Sequence, residues 1–76
     1  MNAARRKRIN QAMTIIFEQK EEFEDIMDEE QEALDNMPEN LQGSERYEAM
    51  EEAISNLEAV ISSLEEATEV QDELTS

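Results

Sequence analysis

Stepping alternately four and three residues from Ile9, the chain reads Ile9, Met13, Ile16, Lys20, Phe23, Met27, Glu30, Leu34 and Met37, and seven of these nine are apolar. That spacing lines up one face of an α-helix. Ala12, Ile26 and Ala33 widen the stripe on one side, whereas Lys20 and Glu30 interrupt it. A second stripe is more regular. Met50, Ile54, Leu57, Ile61 and Leu64 follow 4-3-4-3 steps, and Ala53, Val60, Ala67 and Leu74 run beside them at every seventh position. Consecutive heptads begin at Ala53 and at Val60, the signature of a helix that pairs along one seam. Beyond Leu64 the seam passes into Thr68 and Gln71, which predicts fraying toward the C-terminus.

The two stripes are separated by the one proline and the one glycine of the chain, Pro38 and Gly43. Proline pushes the residue before it out of helical geometry and so ends the first helix. Ser44 is placed to cap the next helix, with Glu45 and Glu48 in the first turn complementing its dipole. The predicted fold is all-α: an antiparallel, coiled-coil-like two-helix hairpin in a single domain, with helix 1 over about 3–36, a turn at 37–43 and helix 2 over about 44–74. Each helix would be about 45 Å long, and a short connection makes them antiparallel neighbours. Ile15 and Phe17 lie off the main stripe of helix 1, which suggests a second buried face. A homodimer forming a four-helix bundle would supply it.

With 76 residues the chain has room for one domain at most, and so short a chain struggles to bury a sufficient core alone. It has neither cysteine nor histidine. Disulfides and thiolate metal sites are therefore excluded, and the commonest general base and metal ligand is missing. No cofactor and no resident metal is expected. Carboxylate pairs at i and i+3, such as Glu29 with Glu32, Glu48 with Glu51 and Glu69 with Asp72, could touch a divalent ion. In so acidic a chain such spacings arise by chance, and no phosphate-binding or EF-hand pattern accompanies them. Ser55, Ser62 and Ser63 have no base to activate them. The sequence is not expected to encode an enzyme.

Charge changes the picture most. The formal net charge is −15, from 21 acidic and 6 basic residues. Four of the basic residues are Arg5, Arg6, Lys7 and Arg8, and only Lys20 and Arg46 follow them. From Glu18 to Glu58 the chain holds sixteen acids against those two cations, a net of −14. Folded into a hairpin, this stretch occupies about 27 Å of helix, or about one negative charge per 2 Å, close to the one per about 1.7 Å of duplex DNA. The basic start is expected to lie beside Glu65, Glu66, Glu69, Asp72 and Glu73 and to pair with them. It lacks the interleaved aromatic residues of a nucleic-acid platform, so direct nucleic-acid binding is not expected. No apolar run is long enough to span a bilayer, and the segment after the basic start is too polar for a secretory signal; the expectation is a cytoplasmic protein.

The turn, Asp35-Asn36-Met37-Pro38-Glu39-Asn40-Leu41-Gln42-Gly43-Ser44-Glu45-Arg46, resembles the D-N-(L/M)-P-E-(N/S)-L-Q-x-S-E-R turn of short acidic helical proteins encoded by phages and prophages of Gram-positive bacteria. The resemblance covers these twelve residues, with Gly43 at the free position, and implies a genomic setting, and with it a bacterial host cytoplasm, rather than an activity. In charge and size the chain is also similar to anti-CRISPR and anti-restriction proteins that present carboxylates in place of DNA phosphates. The expected function is inhibition: Glu21, Glu22, Glu24, Asp25, Asp28, Glu29 and Glu32 would pair with the basic nucleic-acid-binding surface of a host defence nuclease. Tyr47, with Met37 and Leu41, is a second candidate for partner contact, tyrosine being enriched at binding hot spots. The alternative is a non-catalytic assembly module whose seam pairs with itself or with a partner helix.

Overall fold

The computed structural model describes residues 1–75. Helix α1 spans Ala3–Asp35, a single 3-10 turn covers Glu39–Leu41, and α2 (Glu45–Glu69) returns alongside α1, followed by the short α3 (Gln71–Thr75). The described residues contain no strand. The result is an extended antiparallel hairpin, 60 Å long and only 14 and 13 Å in its other dimensions.

Each helix begins and ends where its residues allow. Asn2 is extended and accepts the Arg5 N–H on its side-chain oxygen at 2.8 Å, which satisfies a donor that the first helical turn leaves open. At the other end of α1, Asn36 and Met37 donate to the carbonyls of Glu32 and Leu34 before Pro38 stops the ladder. The 3-10 turn is closed by the Leu41 N–H on the Pro38 carbonyl at 2.9 Å. Gly43 then takes φ +87°, a left-handed conformation that an L side chain resists, and delivers Ser44 into the cap of α2. The Ser44 hydroxyl accepts the Tyr47 N–H at 3.2 Å.

The seam follows the periodicity closely. Met13, Leu34, Ile54 and Ile61 are the buried hydrophobic residues, each 8% exposed, and Ile9, Ile16, Phe23, Met27, Met50, Leu57 and Leu64 are half-buried between them. Lys20 and Glu30, which interrupt the apolar stripe, are half-buried as well, so the seam runs through them. No described side chain is fully enclosed. Two helices cover one stripe each, and the core is a single file of contacts.

Four expectations need correction. Helix 2 does not continue unbroken to residue 74: it breaks at Val70, whose φ of −89° and ψ of 2° lie in the bridge region. The Thr68 hydroxyl donates to the Glu65 carbonyl at 2.9 Å, back-bonding that loosens the last turn, and α3 restarts the ladder with the Leu74 N–H on the Val70 carbonyl. Next, the residues that widen the stripes, Ala12, Ile26 and Ala33 on α1 and Val60, Ala67 and Leu74 on α2 and α3, are exposed, because two narrow helices leave their flanks uncovered. Ile15 and Phe17 do not share a face either. They are 58% and 43% exposed, and two residues of helix turn them about 200° apart.

The last correction is one of register. The Gln71 amide donates to the Asn10 side-chain oxygen at 3.0 Å, so one turn further out Arg6 lies level with Thr75. Glu65 is engaged by Lys20 at 3.5 Å. The basic cluster therefore sits beyond Glu65, Glu66 and Glu69, at the very end of the rod, where the same register leaves Asp72 and Glu73 level with Arg8 as expected.

Candidate functional site

The acidic residues of α1 fall into two rows. Glu18, Glu22, Asp25, Glu29 and Glu32 advance in 4-3-4-3 steps, which keeps them on one meridian, the side away from the seam, about 5 Å apart along the axis. Glu21, Glu24, Asp28 and Asp35 lie on the flank beside it. All are exposed except Glu24, which is half-buried. Of the sequence-predicted partner residues, the fold thus gathers Glu21, Glu22, Glu24, Asp25, Asp28, Glu29 and Glu32 on one continuous stretch of α1. Tyr47 is not among them: it is half-buried at a seam position, three residues before Met50, at the turn end of α2.

The flank row faces a matching row on α2. Gln31, Leu34, Glu51, Ile54, Ser55 and Glu58 line one shallow groove between the helices, and seven residues after Glu58 comes Glu65, bridged to Lys20 on the same side. This side of the hairpin carries carboxylates from both helices. Glu65 was not apparent as part of it from composition. The signal that points to it is Lys20, a lone cation inside an apolar seam, which calls for a partner from the opposite helix.

Lys20 is the cation that balances this surface. Its Nζ lies 3.0 Å from Glu24 and 3.5 Å from Glu65. Its pKa is raised above the usual 10.5, first by the hydrogen bond to Glu24, with the charges of Glu24 and Glu65 adding to it. Gln31 donates to Asp35 at 2.9 Å, orienting that carboxylate without neutralising it.

The helix dipole makes the charge placement costly. α1 has no acidic residue in its first turn and no basic residue in its last; instead Arg5 and Arg6 stand at the positive end and Glu32 and Asp35 at the negative end. Each such misplaced charge costs about 0.3–1 kcal/mol at a surface position. In α2, Glu45 and Glu48 occupy the favourable first turn.

No group of three or more acidic side chains among the described residues is arranged to hold a metal ion. No helix among them is long and apolar enough to cross a membrane. Comparison of the chain with protein-family models, with curated proteins and with solved structures finds no match. What the site can do chemically follows from its charge: it attracts cations over a length of tens of ångströms, and it offers them carboxylates spaced one helical turn apart.

Proposed function

We propose that this chain is a phage- or prophage-type inhibitor that acts as a DNA mimic, occupying the basic nucleic-acid-binding surface of a host defence nuclease of the CRISPR or restriction kind in the bacterial cytoplasm. It performs no catalysis itself. The observation that carries the proposal is the arrangement of α1: a row of exposed carboxylates at each helical turn, ending in Glu32 and Asp35 at the negative end of the helix dipole, where no basic residue stands. A charge pattern that weakens its own helix is not placed there for folding. A cationic cleft would offset the cost by taking up the carboxylates that otherwise repel one another.

The mechanism is competitive. Glu21, Glu22, Glu24, Asp25, Asp28, Glu29 and Glu32 stand in for phosphates opposite Lys and Arg of the target. Long-range attraction speeds encounter, and salt weakens binding. The experiment is capture on tagged protein from a Gram-positive host lysate, with washes at low and then high salt and with duplex DNA as competitor. Recovery of a nuclease that both DNA and salt release supports the proposal. A partner that is retained at high salt and ignores DNA sinks it, and favours the assembly module, for which the exposed Ile26 and Val60 are the supporting observation.

A further inference from the structure

The Lys20–Glu65 bridge and the groove lined by Glu51 and Glu58 mark one side of the hairpin as acidic on both helices. The opposite side is chemically different. On α1 it presents Ala12, Gln19, Ile26 and Ala33; on α2 and α3 it presents Ala53, Val60, Ala67 and Leu74. Each set recurs at every seventh residue and so keeps to one face of its helix; between Ala49 and Leu74 no acidic residue of α2 falls on this side, and on α1 Glu22 and Glu29 only border it at its outer edge. In a chain with 21 acidic residues, a strip kept clear of them along most of a rod is a surface of its own kind. Its apolar members are open to solvent: Ile26 and Val60 are each 38% exposed and Leu74 41%.

We infer that this acid-free side is where a second copy of the chain packs, antiparallel to the first, to form a four-helix bundle. Three observations select that occupant. The single-file seam leaves no described side chain fully enclosed, so each hairpin lacks the second layer that a short helical chain needs. A face 60 Å long and 14 Å wide offers about 800 Å², the share each partner contributes to a standard specific interface. Charge then sets the orientation. The rod is basic at Arg5–Arg8 and acidic around the turn. Side-by-side parallel copies would bring two acidic turn halves together. Antiparallel copies bring each basic end level with the other's acidic half, for instance Arg8 with the region of Glu29 and Glu30. Apart from Glu22 and Glu29 at its rim, the α1 rows and the Lys20 side remain outside the bundle, so most of the outer carboxylates stay available to another partner.

The test is sedimentation of the full chain over a wide concentration range, with circular dichroism as the check on folding. The wild type is expected at twice its 8.8 kDa mass. Ile26→Glu and Val60→Glu place a charge in the interface at positions exposed in the hairpin, so they retain helicity while weakening association by about a hundredfold or more. Phe17→Glu, on the acidic side, leaves it unchanged. A wild type that stays monomeric throughout, or a Val60→Glu variant that still dimerises, overturns the proposal; a monomer would leave this face to some other partner. Orientation is read by cross-linking, since the chain has no cysteine of its own. Ala12 and Ile26 are equally spaced about Gln19, the midpoint of α1. An antiparallel bundle therefore joins Ala12→Cys to Ile26→Cys in a mixture, whereas Ala12→Cys joining efficiently to itself would refute the antiparallel arrangement.

Discussion

Lys20 on α1 reaches across the hairpin to Glu65 on α2, Nζ to Oε1 3.5 Å, while its nearer partner Glu24 holds it at 3.0 Å one turn along. An interruption of the apolar stripe has become a charged link across the seam. Its pKa is raised above 10.5, led by the Glu24 hydrogen bond, so the folded state holds this proton more tightly than the unfolded chain does. The stabilisation is therefore complete below pH 10.5 and fades as pH climbs through the raised value. Thermal melts between neutral and strongly alkaline pH should show this loss in the wild type and less of it in Lys20→Met. Equal alkaline losses in both proteins would show that the bridge contributes nothing.

Gly43 stands alone in space: a methyl group added there would meet nothing within 4 Å. Its φ of +87° is the whole constraint. Gly43→Ala should cost about 1–2 kcal/mol through backbone strain, seen as a lower urea midpoint with an unchanged helical spectrum. An alanine variant as stable as the wild type would mean that the turn relaxes into another geometry.

The opposed dipole of α1 gives a prediction of unusual sign. Asp35→Lys, in the last turn of that helix, should stabilise the hairpin by about 0.3–1 kcal/mol and raise the melting temperature in low salt. Reversing Glu22, Asp25, Glu29 and Glu32 together should likewise spare helicity while abolishing binding to a DNA-releasable partner. Retained binding in that quadruple variant would rule out carboxylates as the recognition element.

The seam carries the folding energy. Ile54 is 8% exposed, and Ile54→Ala removes about 2–4 kcal/mol at such a site. In a hairpin this thin, the variant should be largely unfolded by circular dichroism. Should it melt like the wild type, the stability lies outside the seam.

Most of the fold was legible in the residue pattern because each element has a local cause. The 4-3 spacing set the seam even through Lys20 and Glu30, Pro38 and Gly43 bounded the turn, and Ser44 declared the cap. The break at Val70 was not legible in that way. Thr68 and Gln71 continue the periodicity in step, and a hydroxyl bonded to its own helix does not by itself mark a break, since Thr14 bonds to the Asn10 carbonyl inside unbroken α1. For the site, sequence could assign carboxylates to α1, since neighbours on one helix follow from spacing. It could not pair Glu65 with Lys20 or move Arg5–Arg8 out to the rod's end, since those depend on the register between helices, which the Asn10–Gln71 contact reports.

The shape of the seam also determines how the chain comes together in time. Every cross-helix contact lies at a sequence separation that grows steadily with distance from the turn at Asn36–Ser44. Contacts beside the turn close the smallest loop and each later pair needs only one more helical turn, so ordering can advance like a zipper, with little entropy to overcome at any step. The same sequence run backward describes how a pull on the two ends would open the molecule, beginning at α3 and reaching Leu34 and Tyr47 last.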